Sequence, residues 1–210
     1  MKKTDWDYYY SHPNKLASFT RKITSDKLIR LLKQFSPSNR FNITIAELGG
    51  ANSCFYESIN KAFSPYKYLI VDNNKEGLDK TIDIMKKSDN IELKYENVLN
   101  STEGTEEFDI VFSVGLIEHF PPEGTSKCIS AHFNYLKDRG ICIVTFPTPT
   151  WLYKLVRKCS ELLGLWIFHD ERPLKINEVL NEIKKYATIK HCSITWTIIL
   201  TQGVIVAEKN

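Results

Sequence analysis

Residues 43–53, ITIAELGGANS, together with VDNN at residues 71–74, constrain this chain more than any other segment. An apolar run ends in an acid, a turn of small residues follows, and a second apolar run ends in another acid. Continuous apolar runs of this length read as strands buried on both faces. In an open parallel sheet, ligands sit beyond the carboxyl ends of the strands, where a small-residue turn lets backbone approach them closely. Asp72 lies about twenty residues past the turn, the offset at which a second-strand acid holds ribose hydroxyls. The layout predicts a nucleoside pocket, although Asp72 also fits an ordinary helix-capping acid, with Asn73 and Asn74 as turn formers.

The rest of the chain supports that sheet. Strands are expected at 43–48, 68–71, 91–95, 108–113 and 140–146, with helices at 53–63, 75–87 and 123–136. This alternation predicts an α/β fold, mostly parallel, with helices on both faces. Two strand-like runs, 187–196 and 203–208, have no helix between them and suit an antiparallel C-terminal hairpin. Residues 1–40 read as an N-terminal helical segment, with apolar positions at helical spacing up to Phe35 and a stop at Ser36-Pro37-Ser38-Asn39. A length of 210 residues suits one domain spanning 1–210.

Composition excludes several classes. A net charge of +3 is too small to imply nucleic acid. Five scattered cysteines without a Cys-x-x-Cys pair form neither a disulfide framework nor a zinc site, and no metal is expected. The first twelve residues carry two lysines with no apolar stretch after them, and no apolar run approaches membrane-spanning length. A cytoplasmic location is the expectation.

AELGGANS resembles the first motif of class I S-adenosylmethionine-dependent methyltransferases, an acid followed by alternating small residues. Here these are Glu47, Gly49, Ala51 and Ser53, with an additional Gly50. Any positive φ in the turn is expected on Gly49, Gly50 or Asn52. IELKYENV (91–98), EFDIVFSVGLIEHF (107–120) and DRGICIVTFPTP (138–149) resemble the third-, fourth- and fifth-strand motifs of that family, in order. The resemblance implies a Rossmann-like doubly wound, seven-stranded sheet and S-adenosyl-L-methionine as cofactor. It places Glu47 near the methionine amino group, Gly49, Gly50, Ala51, Asn52 and Ser53 against methionine and ribose, and Asp72 on the ribose hydroxyls. Asn73, Asn97 and Val98 would border the adenine, and Ser113 and Gly115 the methionine. Glu118 and His119 would face the transferred methyl as catalytic residues. Read without the resemblance, they are a solvated helix start.

Residues 147–176 form an aromatic and amphipathic insertion after the fifth strand. Trp151, Leu152, Leu155, Val156, Cys159, Leu162, Leu163 and Trp166 fall on one helical face. Such a helix packs on its own domain or on a second copy in a homodimer, covers a substrate, or rests peripherally on a membrane surface. The polar HDERP at 169–173 follows in an expected loop, where specificity commonly resides. Trp6, Tyr8, Tyr9 and Tyr10 either cover the cofactor or pack on the sheet. The leading expectation is methyl transfer to a small-molecule acceptor such as a sugar, sugar nucleotide or glycan precursor. Alternatives are a quinone or lipid acceptor, and a non-catalytic subunit of the same fold. A nicotinamide oxidoreductase is disfavoured, because Glu47 would lie close to a pyrophosphate.

Overall fold

The computed structural model describes residues 3–12, 15–36, 42–85, 88–101, 107–196 and 201–210. Seven strands form one sheet: β1 (Thr44–Leu48), β2 (Lys67–Asp72), β3 (Ile91–Tyr95), β4 (Phe108–Val114), β5 (Leu136–Pro147), β6 (Ala187–Trp196) and β7 (Thr201–Lys209). Their order is β3-β2-β1-β4-β5-β7-β6. The first five run parallel, and β7 is antiparallel to both β5 and β6. The sheet is the expected doubly wound type. Chain order reverses between β1 and β4, which makes the space beyond their carboxyl ends the topological switch point.

Both faces are covered, which explains why the inner strands are apolar, whereas the edge strands β3 and β6 carry polar, partly exposed residues. Ala46, Leu48, Leu69, Val71 and Val111 face one layer, which includes residues of α5 (Pro122–Tyr135) and α7 (Ile176–Ile183). Ile45, Tyr68, Ile70, Ile110 and Phe112 face the other, with α2 (Lys15–Phe35), α3 (Tyr56–Phe63) and α4 (Lys75–Met85) supplying Leu28, Leu32, Ile59 and Leu78. Burying one such aliphatic side chain contributes roughly 1.5–3 kcal/mol. Among the described residues no helix is long and apolar enough to cross a membrane.

Four local differences from the sequence expectations have physical causes. The N-terminal segment contains a separate helix, α1 (Trp6–Ser11), capped by Asp5, whose Oδ1 accepts from the Tyr8 amide at 2.9 Å. The helix expected from residue 53 starts at Tyr56, because Ser53 has φ 34° and belongs to the turn. α7 was unforeseen, although Ile176, Val179, Leu180 and Ile183 have helical spacing and pack inward. β5 begins at Leu136, with an irregularity in its pairing to β4 after Phe108 and with Arg139 at φ 62°.

One buried polar pair ties α5 to β4. His132 Nδ1 lies 2.7 Å from the carbonyl of Cys128, which can only accept, so Nδ1 carries the proton. Nε2 therefore accepts from the Ser113 hydroxyl at 2.8 Å. Complete burial disfavours the imidazolium and lowers the pKa of His132 from 6.5 to about 4. Between those values the unfolded chain binds the proton and the folded one does not, so stability falls as pH drops through this window. The difference integrates to about 3 kcal/mol. Urea unfolding of wild type between pH 7 and pH 4 should show this loss in excess of that in His132→Gln. Parallel pH profiles would show that His132 is not held neutral.

Candidate functional site

The site is assembled at the carboxyl ends of β1, β2 and β4. Glu47, on β1, is buried, and its Oε2 accepts from Tyr68 Oη on β2 at 2.7 Å and from Ser53 Oγ at 3.0 Å. Burial raises its pKa, and the two hydroxyl donors lower it only in part, leaving it at about 7. The side chain folds beneath Gly50, where any Cβ would overlap it. Gly49 has φ 72°, and a Cβ there would meet Leu116 at 2.7 Å. Positive φ thus falls on Gly49, as expected, and on Ser53, which was not. Gly50 is required for space. Ala51 is buried and Asn52 half-buried.

Asp72 ends β2 and braces this turn. Its Oδ2 accepts from the Ala51 amide at 3.0 Å and its Oδ1 from the Asn74 amide at 2.8 Å. Burial raises its pKa, against the backbone donors. The capping reading belongs instead to Asn74, whose Oδ1 accepts from the Gly77 amide at 2.7 Å at the start of α4. Asn73 is exposed beside it.

The third- and fourth-strand residues are more dispersed in role. Asn97 caps a short 3-10 turn, Val98–Asn100, through its Oδ1 and the Leu99 amide at 3.0 Å. Val98 is buried in the core layer beneath. The Ser113 hydroxyl is committed to His132, so Ser113 can line the site with backbone only. Gly115 has φ 70°, and a Cβ there would stand 3.3 Å from Glu118 Oε1.

Glu118 and His119 follow in a 3-10 turn, Ile117–His119, and neither is solvated. The Glu118 side chain is only 2% exposed, and its Oε2 has no hydrogen-bond partner. Burial first, then the negative charge of Glu171, pushes its pKa well up. His119 Nδ1 lies 2.9 Å from Asp170 Oδ1, while Nε2 is 4.0 Å from Glu118 Oε1. Burial lowers the His119 pKa against the pull of Asp170, favouring neutral imidazole. A carboxylate at Nδ1 fixes the proton there and leaves a lone pair on Nε2.

The sequence did not single out Asp170, Glu171 or Tyr153 individually. The HDERP loop holds all its charged groups in place. Asp170 also accepts from Thr4, Glu171 accepts from Tyr153 Oη, and Arg172 joins Glu178 at 2.7 Å and Thr125 Oγ1 at 3.1 Å. Burial raises Glu171 to about 7. Arg172 is thus a clamp between the loop, α5 and α7. Trp166 lies beyond α6 (Trp151–Leu162), its Nε1 donating to the Phe168 carbonyl at 2.9 Å.

The N-terminal aromatics lie over the site. The Trp6 ring meets His119 edge-on at 4.9 Å. At the other end, Tyr10 is within reach of the charges of Asp72 and Glu47, and its ring would meet a Cβ on Gly77 at 3.0 Å. Asp7 accepts from Asn74 Nδ2 at 2.6 Å. α1 therefore spans the mouth from the Asp72 end to the His119 end.

α6 turns its apolar stripe outward. Its buried face is Tyr153, drawn in by Glu171 and Arg157, whose Nη1 donates to Tyr153 Oη at 3.0 Å. Trp151 (69% exposed), Leu155 (53%) and Leu162 (79%) face solvent, with Leu163 and Leu165 exposed beyond the helix.

The sequence matches no protein-family model and no curated protein. Its fold is similar to that of solved structures. The magnesium protoporphyrin IX methyltransferase ChlM from Synechocystis PCC 6803 with bound SAH superposes with a TM-score of 0.73 at 15% identity, covering 95% of this chain and 89% of that one. The N-methyltransferase NodS from Bradyrhizobium japonicum WM9 in complex with S-adenosyl-L-homocysteine gives 0.67 at 12%, covering 90% and 86%. An S-adenosylmethionine-dependent methyltransferase from Clostridium acetobutylicum ATCC 824 gives 0.68 at 14%, covering 89% and 90%. At these identities the likeness establishes the fold.

Gly50→Ala should lower the unfolding free energy by about 1–3 kcal/mol, the usual range for overpacking. In a Glu47→Ala background the overlapped side chain is gone, and the penalty should shrink. A double-mutant cycle by urea denaturation measures the coupling. Equal penalties in both backgrounds would mean that Glu47 is not what Gly50 makes room for.

Proposed function

We propose that the chain is an S-adenosylmethionine-dependent methyltransferase acting on a hydroxyl of a small-molecule acceptor. The observation that carries this reading is the pair of acids, Glu47 and Asp72, held at the carboxyl ends of β1 and β2 on either side of a small-residue turn with positive φ at Gly49. Asp72 keeps acceptor capacity for ribose hydroxyls beside its backbone donors, and Glu47 offers a buried acid to an ammonium group. The backbone from Gly49 to Ser53 lies against methionine and ribose, Asn73, Asn97 and Val98 border the adenine, and Gly115 with the Ser113 backbone borders the methionine.

When bound, the cofactor supplies an electrophilic methyl group. Transfer to the acceptor oxygen would leave the C–S bonding pair on a neutral thioether, and the Glu118–His119 cluster would take the hydroxyl proton. The chain's contribution is alignment and exclusion of water. Trp6, Phe168 and the Leu116 side chain supply apolar walls around His119 and the turn. Aromatic walls beside carboxylates suit a sugar, sugar nucleotide or glycan precursor, which stacks by its apolar face and hydrogen-bonds by its edge.

The outward stripe of α6 favours a second reading, a quinone or lipid acceptor met at a membrane surface. Exposed Trp151, Leu155 and Leu162 lie beside exposed Lys154 and Lys158, the composition of an interfacial helix on anionic lipid. Vesicles of anionic phospholipid should pull down the wild-type chain but not Leu155→Glu if this acceptor class is right. Absence of co-sedimentation returns the acceptor to the soluble class.

The cofactor assignment has its own test. S-adenosylhomocysteine should bind with micromolar affinity by calorimetry, and Asp72→Ala should weaken it about ten- to a hundredfold, the loss of hydrogen bonds to a charged acceptor. Unchanged binding in Asp72→Ala would overturn the ribose role, and absence of binding by wild type would overturn the function.

A further inference from the structure

The groups set beyond β4 have a property that proton transfer alone does not require. A ring nitrogen of His119 and one carboxylate oxygen each from Glu118 and Glu171 all lie within 4.8 Å of one another. Glu118 is buried, its Oε2 is without any hydrogen-bond partner, and among the described residues no Lys or Arg is paired with it. An isolated buried carboxylate is strongly disfavoured unless something cationic or protic meets it.

We propose that Glu118, His119 and Glu171 ligate a divalent metal ion, which binds and acidifies the acceptor hydroxyl. This deepens the function proposed above and rests on it for the ion's role, though not for the site itself. Three features support it independently. First, the donor set is two carboxylates and one imidazole, a mixture suited to first-row ions such as Mn²⁺ or Zn²⁺. Second, His119 Nδ1 is held by Asp170 at 2.9 Å, leaving Nε2 turned toward Glu118. A carboxylate behind a ligating imidazole fixes its tautomer and orientation in metal sites. Third, Glu171 is anchored from outside by Tyr153 and Asp170 by Thr4, so both carboxyls are positioned by groups that are not themselves ligands. Ligand atoms about 2.1 Å from a tetrahedral ion stand about 3.4 Å apart, so closure requires the widest pair to approach by up to roughly 1.4 Å, within the reach of side-chain rotation. Three protein ligands leave positions open for water and for the acceptor oxygen. A hydroxyl coordinated there loses its proton near neutral pH, as metal-bound water does. With Glu118 and His119 committed to the ion, they no longer take the hydroxyl proton directly as in the metal-free reading; it passes to a solvent base, and the oxygen, held by the ion, receives the methyl.

The experiment is a Mn²⁺ titration of the chelator-treated chain, read by the electron paramagnetic resonance of free Mn²⁺. Wild type should take up one ion per chain, with displacement by Zn²⁺. Glu118→Gln and Glu171→Gln, equal in size to the native residues, should each weaken uptake at least about tenfold, and Asp170→Asn, behind the ligand, about ten- to a hundredfold. Near-UV circular dichroism verifies that each variant is folded. No stoichiometric uptake by wild type, or uptake unchanged in both glutamine variants, overturns the site. Calorimetry with S-adenosylhomocysteine on the metal-free chain separates the two readings: cofactor binding without Mn²⁺ uptake removes the metal alone, and Mn²⁺ uptake without cofactor binding removes the methyl-transfer function while leaving the site.

Discussion

The Glu47 carboxylate is the constraint on which the rest of the site depends. It sits at the end of a fully buried strand, takes hydroxyl donors from Tyr68 on the neighbouring strand and Ser53 across the turn, and lies under Gly50. One acid thereby fixes the relative position of β1, β2 and the turn between β1 and α3. A residue with a side chain at position 50 would force that carboxylate out. The Ala51 amide, just past the same turn, is then placed to be received by Asp72, which carries the constraint to β2 and the start of α4.

A second centre lies beyond β4, in the loop at 168–172. Asp170 joins the N-terminal Thr4 to His119, Glu171 draws in α6 through Tyr153, and Arg172 ties the loop to α5 and α7. Three consecutive charged residues therefore tie four separate segments together around one imidazole. Substitutions in this loop are expected to act on several elements at once, so their effects on activity should be non-additive with changes in α6.

The fold was legible because its signals are local and repeated. Continuous apolar strands, helical spacing between them and the small-residue turn each pointed to a covered parallel sheet, and positions 44–48 and 67–72 lie where the pattern required. Asp72 was legible for the same reason, since its offset from the turn reflects a fixed strand–helix–strand path. What escaped detection depends on contacts far apart in sequence. The Ser113 hydroxyl points to His132 because α5 packs over β4, and no local pattern at SVGL reveals that partner. The orientation of α6 stayed open among its own domain, a second copy, a substrate and a membrane surface, because hydrophobic spacing alone does not choose between them; the buried Tyr153–Glu171–Arg157 network turns the stripe outward. A hydrophobic stripe specifies that something apolar must cover it, and not which side of the helix the chain's own core occupies.

The distribution of charge around the switch point bears on why this arrangement suits a cationic ligand. Glu47, Asp72, Glu118, Asp170 and Glu171 all lie at the carboxyl-end edge of the sheet, and among the described residues neither Glu47 nor Asp72 is paired with a Lys or Arg. Burial makes such acids costly in isolation, which is why Glu47 and Glu171 are held up to about 7. A positive group entering this field relieves that cost, so part of its binding free energy comes from restoring the acids to their charged forms. Conversion of a bound sulfonium to a neutral thioether would remove part of that attraction without moving any side chain. On the proposed function, the same field that gathers the sulfonium would then favour release of the neutral thioether.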